Sequence, residues 1–489
     1  MSLENYFQQF RESTIGHKHN ITTPYGEKTL IYADWIASGR LYKPIEDKIC
    51  NVLGPMVANT HSEASDTGKA MTLAYHQAHK IIKKHVNAND QDAIITVGSG
   101  MTRALAKLYR ILGLRIPEQL QKWCVIPENE KPVIFLTHME HHSNHTAWLE
   151  SVADVVILAP TQNLLVDVES LASELEKYKD RKVKIGSFTA CSNVTGIRVP
   201  YHQLAKIMHE HGGYCFVDFA ASAPYDNMDM HPENEGEHLD AIFFSPHKFL
   251  GGPGSSGVLI FNKALYNNKI PDHPGGGTVL WTNPWGGRSY FDDIEIREDG
   301  GTPGFLQAIR TAFSIKLKEQ MGVENMQKRE EELLTIAFEK LNNIKGINML
   351  AGDVKNRLGV ISFYVDDIHF NLIVKLLNDR YGVQVRGGCS CAGTYGHYLL
   401  HVDQDYSKHM TDCIDEGNLT EKPGWVRLSL HPTMTNDELN LVLGAINNIV
   451  ENIEILKQNY TYDSSNNEFY HVNDQNLLAQ EILGWFEEV

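Results

Sequence analysis

Buried apolar runs alternate with helical stretches through the middle of this chain, and this alternation limits the folds that the chain can adopt. The run 93–97 is followed by the turn Gly98-Ser99-Gly100 and by apolar residues at helical spacing from Met101 to Leu112. Such a pattern predicts an α/β fold, with a mostly parallel sheet covered by helices and ligands at the carboxyl ends of the strands. Further strands are predicted at 132–136, 155–158, 184–188, 214–217, 241–244 and 258–261, with helices at 168–178 and 201–211.

The pattern changes after a long helical stretch, about 305–342. Strands at 360–364 and 383–385, with helices around 372–377 and from Asn436, predict a smaller α+β domain, and Thr435 and Glu438 form a capping-box signature. We therefore expect an N-terminal arm (1–29), a large domain (30–325), a small C-terminal domain (326–459) and a tail (460–489). An amphipathic piece of the tail, 477–486, is expected to dock on the body.

Charge and cysteine content narrow the function. A net charge of −17 argues against nucleic acid and anionic membranes as partners, because both attract clustered Lys and Arg. No apolar run reaches the length of a membrane span, and no signal peptide is apparent. Seven thinly spread cysteines, an odd number, fit a reducing cytoplasm, and only Cys389-Ser390-Cys391 is clustered.

A lysine follows one of the predicted buried strands. Ser245-Pro246-His247-Lys248 comes directly after the run 241–244 and before a glycine-rich turn. A lysine at the end of a buried strand can direct its amine into a site, where such amines form Schiff bases. The alternative is an exposed lysine at a strand end with no such role.

Three other groups follow strands in the same manner. Ser99 and Gly100 lie between strand and helix, where backbone N–H groups and the helix dipole favour phosphate. Asp218 ends the strand at 214–217, and its carboxylate could pair with a protonated nitrogen of a flat ring. The alternative is that Asp218 caps the N-terminus of a helix. His141 follows the strand at 132–136, where its imidazole could stack on the opposite face of such a ring. The histidines at 138–145 also suggest a metal site. They do not recur at the regular spacing that would place them on one face of a helix, so no metal is predicted.

In this order the motifs resemble the aminotransferase class V family of fold-type I pyridoxal-phosphate (PLP) enzymes, and within it the group II cysteine desulfurases and selenocysteine lyases. The resemblance covers most of residues 30–450. It is carried by the segments 139–144, 192–196, 217–220, 245–248, 300–303, 385–392 and 427–429.

The resemblance implies a role for each matching residue. Lys248 would carry the cofactor, His141 would stack on its ring, and Asp218 would pair with the ring nitrogen. Cys391 resembles the persulfide-forming cysteine, a nucleophile toward substrate sulfur. The remaining implied cofactor contacts are Ser99, Gly100, Met101, Asn193, Ala220, Ser245, His247 and, from a second subunit, Thr302. The implied substrate contacts are Arg427, Asn59, His61, Ala37 and Ser38.

These assignments imply a homodimer with shared active sites, a small amino-acid substrate and a sulfur-acceptor protein. Two departures from the family pattern stand out: Ala221 and Ser222 lie where many members have glutamine, and the segment 393–426 is longer than usual. The Gly-Cys-x-Cys pattern also resembles the amino-terminal domain of molybdenum cofactor sulfurases. The alternatives left open are a transaminase, in which Cys391 is idle, a C–S or C–Se β-lyase, an epimerase, and a cofactor-free scaffold.

Overall fold

The computed structural model describes residues 1–60, 63–473 and 477–487. The N-terminal arm packs on the body through Phe7 and Phe10, which are buried with Trp35 and Leu317 in one apolar cluster. Although the sequence of the arm is mostly polar, these two aromatic side chains anchor it to the body. The first elements are α1 (Leu3–Tyr6), α2 (Gln8–Glu12), β1 (Asn20–Thr23), β2 (Gly26–Thr29) and β3 (Ile31–Tyr32).

A seven-stranded sheet forms the centre of the molecule. Its strands are β4 (Asp92–Val97), β5 (Val133–Thr137), β6 (Asp154–Leu158), β7 (Lys184–Thr189), β8 (Tyr214–Asp218), β9 (Ala241–Phe244) and β10 (Gly257–Asn262). They lie in the order β4-β10-β9-β8-β7-β5-β6; β10 runs antiparallel to β4 and β9, and the strands from β9 to β6 pair in parallel. The predicted α/β class with a mostly parallel sheet is confirmed.

Both faces of this sheet are buried. Along β5, Val133 and Phe135 belong to one core cluster, whereas Ile134 and Leu136 belong to another, because successive side chains of a strand point to opposite faces. Every residue of β5, β7 and β9 is buried, which explains the continuous apolar runs of β5 and β9. The helices of this part are α3 (Lys43–Lys48), α4 (Asp66–His85), α5 (Met101–Ile111), α6 (Glu118–Gln121), α7 (His142–Leu149), α8 (Val168–Lys177) and α9 (Tyr201–Glu210).

The helical stretch predicted at 305–342 is two helices. The predicted stretch is helical throughout except at Gly322, where it breaks because the φ of +75° lies outside the helical range. The elements from the large sheet to this point are β11 (Val279–Thr282), β12 (Arg288–Tyr290), α10 (Ile294–Arg297), α11 (Phe305–Met321) and α12 (Val323–Leu341).

A second, antiparallel sheet follows, with the order β13-β14-β17-β16. The strand predicted at 383–385 is present as β15, which pairs with β3 outside this sheet, and β16 begins only at Arg386. The predicted capping box of Thr435 and Glu438 is present at the start of α16. The elements are β13 (Ile347–Met349), β14 (Val360–Val365), α13 (Phe370–Tyr381), β15 (Val383–Gln384), β16 (Arg386–Gly388), α14 (Gly393–Leu399), α15 (Gln404–Asp415), β17 (Trp425–Ser429) and α16 (Asn436–Glu451).

The tail consists of α17 (Ile453–Leu456), the hairpin of β18 (Tyr460–Asp463) and β19 (Glu468–His471), and α18 (Leu477–Gly484). The hairpin packs on α13, where Asn467 bonds to His369 and Asn371. The expected docking of 477–486 is wrong for the single chain, because Leu483 and Phe486 stay 68% and 80% exposed. Among the described residues, no single helix is long and apolar enough to cross a membrane; α16 and the helical residues after it meet that test only jointly, across an 80° bend.

Candidate active site

A cavity of about 210 Å³ lies at the carboxyl ends of the parallel strands. This is where an open α/β sheet is expected to bind its ligand. It brings together side chains from separate strands, from the turn after β3 and from the small sheet. The predicted site residues that line it are Ala37, Met101, His141, Asn193, Asp218, Ala220, Ser245, His247, Lys248 and Arg427.

Lys248 enters this cavity from a single 3₁₀ turn, Pro246–Lys248, directly after β9. The pKa of its amine is lowered to about 8, chiefly by burial; the charge of Asp218 opposes this effect, and the charges of Arg427 and Arg386 add to it. A sizeable fraction of the amine is therefore neutral, and hence nucleophilic, near pH 8.

Asp218 is the last residue of β8 and is 3% exposed. One carboxylate oxygen accepts a hydrogen bond from the Ala220 N–H at 2.8 Å. Burial raises the pKa of Asp218 to about 6, opposed by that hydrogen bond and by the charge of Lys248. The residues after Asp218 form turns, so the alternative of a helix N-cap does not hold.

His141 precedes α7 and caps it, because its Nδ1 accepts the Ser143 N–H at 3.1 Å. Burial lowers its pKa to about 3, with Lys248 adding to the effect, so the imidazole is neutral and carries its proton on Nε2. The nearby histidines have partners elsewhere: His138 bonds to the Leu164 carbonyl, and His142 accepts the Gly393 N–H. The run 138–145 therefore does not converge on a metal.

A second cavity, of about 490 Å³, adjoins the first at the N-terminus of α5. A Cβ atom at Gly100 would lie 3.0 Å from the Ser245 hydroxyl oxygen, so glycine leaves the backbone open there. The Met101 N–H donates to the same hydroxyl at 2.9 Å, and the buried hydroxyl of Ser255 has no partner. Its lining residues are Ser99, Gly100, Met101, Thr102, Arg103, Ser245, His247, Gly254 and Ser255.

Two arginines and an aspartate form the opposite wall. Arg427, 2% exposed, donates from Nη2 to Asp34 at 2.7 Å and from Nη1 to the Asn193 carbonyl at 3.2 Å, while its buried Nε has no partner. Arg386 lies 3.5 Å from the other oxygen of Asp34. A buried, unpaired N–H of a guanidinium suits a carboxylate ligand. Asp34 and Arg386 were not among the site residues predicted from the sequence, although Arg386 belongs to the motif that contains Cys391.

Cys391 is exposed and lies on a turn at the edge of the cavity, to which its neighbour Ser390 contributes. Ser390 and Cys391 both have positive φ, +51° and +58°. The turn is fixed from α7, because the His142 N–H donates to the Cys391 carbonyl at 2.8 Å and the His142 Nε2 accepts the Gly393 N–H at 2.9 Å.

Asn193 lines the first cavity, whereas the remaining predicted residues lie in different places. Asn193 donates its side-chain amide to the Ser390 carbonyl at 2.7 Å, and Ser38 donates to the His247 carbonyl at 3.4 Å. Thr302 and Asn59 are exposed and line neither cavity. His61 lies outside the described residues.

The two cavities together fit PLP. The orphaned Ser255 hydroxyl and the open backbone at Gly100 suit a phosphate, and Lys248 supplies an amine for a Schiff base. The carboxylate of Asp218 and the neutral ring of His141 line the same space and suit a protonated pyridine ring.

Comparisons with known proteins agree with this geometry. The aminotransferase class-V family matches residues 31–442. A probable cysteine desulfurase of Halalkalibacterium halodurans is 27% identical over 363 residues, 74% of this chain and 84% of that protein, and one of Halobacterium salinarum is 26% identical over 412 residues, 80% and 92%. The apo structure of the cysteine desulfurase from Thermococcus onnurineus NA1 superposes with a TM-score of 0.70 at 20% identity, covering 91% of this chain and 98% of that one. The fold-type I architecture is thereby confirmed.

Proposed function

We propose that this chain, which belongs to the aminotransferase class-V family, is a PLP-dependent cysteine desulfurase that converts L-cysteine to alanine and retains the sulfur on Cys391. One observation carries the proposal: Lys248, Asp218, His141 and Arg427 line a single cavity, and the Cys391 turn borders it. Relatives named probable cysteine desulfurases, which match about three quarters of the chain, support the same reaction.

The cofactor would be held at three points. Its phosphate would lie against the Gly100–Met101 turn and the hydroxyl of Ser255, its ring beside His141, and its ring nitrogen at Asp218. When bound, PLP supplies an electron sink for the negative charge that develops on the substrate α-carbon. Asp218 favours the protonated ring, because a buried carboxylate stabilises a cation beside it.

The substrate carboxylate would bind at the unpaired Nε of Arg427, with Arg386 as a second cation. The exposed Cys391 lies on the turn at the edge of the same cavity, where its thiol would meet the sulfur of a bound cysteine. Lys248 would act as the base that removes the α-proton, since its lowered pKa leaves part of the amine neutral near pH 8.

Sulfur transfer would be carried out by Cys391. Its thiolate attacks the substrate sulfur, a new S–S bond forms, and the substrate C–S bond breaks with its electron pair returning to the alanine moiety. Because Cys391 is exposed, a sulfur-acceptor protein could reach the persulfide from solvent. We assign the enzyme to the cytoplasm, since this chemistry requires a reduced thiol.

A homodimer is part of the proposal. Thr302 is exposed and lies outside both cavities of its own chain, which supports its use at the phosphate of a second subunit. Sedimentation of the purified protein should then show a dimer. Mixing the inactive variants Lys248→Ala and Thr302→Ala should restore activity, because one site of a mixed dimer carries neither substitution.

The test of the function is the product balance of the purified enzyme with L-cysteine and a reductant. We expect equal amounts of sulfide and alanine, with both lost in Cys391→Ser while the visible absorbance of bound PLP persists. Lys248→Ala should lose that absorbance. Pyruvate in place of alanine, or an unaffected Cys391→Ser, would assign the chain to the lyases or transaminases instead.

A further inference from the structure

Two cysteines occupy one tight turn at the edge of the active site. The Ala392 N–H donates to the Cys389 carbonyl at 3.1 Å, which closes a four-residue turn over Ser390 and Cys391. Positive φ at both central residues is the signature of a type I′ turn. Cys389 is therefore the first residue of this turn and Cys391 is its third.

This spacing suits a disulfide. Successive Cα atoms are about 3.8 Å apart, so residues two positions apart in a tight turn are separated by roughly 5 to 6 Å. Disulfides bridge Cα atoms about 4.4 to 6.8 Å apart. Both thiols are free, Cys389 half-buried and Cys391 exposed.

The turn is held in this shape by its surroundings. The carbonyls of Ser390 and Cys391 accept hydrogen bonds from Asn193 at 2.7 Å and from the His142 N–H at 2.8 Å. Anchors on both central peptide groups hold Cys389 beside Cys391. The sequence alone gives only the spacing of the two cysteines, whereas these contacts fix it in space.

We propose that Cys389 is a resolving cysteine that releases sulfide from the Cys391 persulfide, an inference that rests on the function proposed above. The Cys389 thiolate attacks the Sγ of Cys391, and a disulfide bond forms between the two residues. The bond from that Sγ to the outer sulfur breaks, and the outer sulfur leaves with the electron pair as HS⁻, taking up the proton that Cys389 gave away. The two cysteines are oxidised and the outer sulfur is reduced.

The disulfide must then be reduced by an external dithiol, such as a thioredoxin-type protein or dithiothreitol. The proposed device separates two routes for the sulfur. A bound acceptor takes the persulfide sulfur directly, and in its absence Cys389 discharges the sulfur as sulfide. Without reductant the enzyme should stop after one turnover, with the turn oxidised.

The test uses the holoenzyme with stoichiometric L-cysteine, without oxygen or reductant, and measures alanine, sulfide, free thiols and intact mass. The wild type should form one alanine and one sulfide per site and lose two free thiols. Cys389→Ser should form the same alanine, lose sulfide release, and gain the mass of one sulfur atom. Cys413→Ser, which removes a cysteine on α15 away from the turn, should behave as the wild type.

The outcomes separate the two proposals. Absence of alanine in the wild type would overturn the desulfurase function itself. Alanine with sulfur retained on the wild-type enzyme, or sulfide release by Cys389→Ser equal to that of the wild type, would overturn only the role of Cys389. If Cys389→Ser folds poorly, Cys389→Ala and the peptide mass of the oxidised wild-type turn give the same decision.

Discussion

His142, the residue after His141, should set the rate of sulfur transfer. His142→Ala removes the acceptor of the Gly393 N–H, while the backbone bond from residue 142 to the Cys391 carbonyl remains. An N–H that loses its partner costs about 1 to 3 kcal/mol, and Gly393 is half-buried, so the lower part of that range, about 1 to 2 kcal/mol, applies. At 1.4 kcal/mol per factor of ten, this cost lowers the ratio of anchored to unanchored turn by roughly 5- to 30-fold.

We therefore expect kcat for alanine formation to fall by roughly 5- to 30-fold in His142→Ala, with KM and the absorbance of bound PLP unchanged. His142→Gln, which restores an acceptor, should recover part of the rate. His145→Ala is the matched control, because His145 lies on the same helix and reaches Thr394 only at 3.5 Å. Wild-type kcat in His142→Ala, or an equal fall in His145→Ala, would refute the anchoring role.

Three further predictions concern the site. Asp34→Asn should lower the free energy of unfolding of the apoenzyme by about 3 kcal/mol in urea titrations, because the buried Arg427 loses its charged partner; an unchanged midpoint would contradict this. The rate of PLP reconstitution should rise with pH through about 8, since the Lys248 pKa is lowered to that value and the neutral amine is the nucleophile; a flat profile from pH 6 to 9 would exclude that assignment. Gly100→Ala should weaken PLP binding at least tenfold in equilibrium titrations, because its Cβ would lie 3.0 Å from the Ser245 hydroxyl; equal affinity would show that the phosphate lies elsewhere.

The strands of the large sheet were predictable because burial on both faces demands unbroken apolar sequence, as in β5 and β9. The break between α11 and α12 was not, since Gly322 lies within a continuous helical pattern and a single glycine is tolerated in helices. The placement of β15 outside the sheet that contains β16 depends on its pairing with β3, about 350 residues earlier in the chain. Sequence periodicity carries no information about such a contact.

Some residues of the site were likewise predictable from local sequence, and others were not. The placing of Lys248, Asp218 and His141 after strands follows from local sequence, and the structure brings them into one cavity. The pairing of Asp34 with Arg427 requires the bridge between Asp34 and Ser429, which joins distant segments of the chain. Ser255 resembles any serine of a glycine-rich turn, and only its buried, unpartnered hydroxyl distinguishes it.

The charges of the cavity also bear on which amino acid it accepts. Arg427 and Arg386 face the single carboxylate of Asp34, which leaves one positive charge to be matched by a ligand. The imidazoles of His141 and His247 add none, because burial lowers their pKa values to about 3 and about 4. A substrate with one carboxylate completes this balance, whereas a second carboxylate would find no further unmatched cation on the wall formed by Asp34 and the two arginines. The wall formed by Asp34 and the two arginines thus favours a monocarboxylic amino acid such as cysteine over the dicarboxylic substrates of many transaminases.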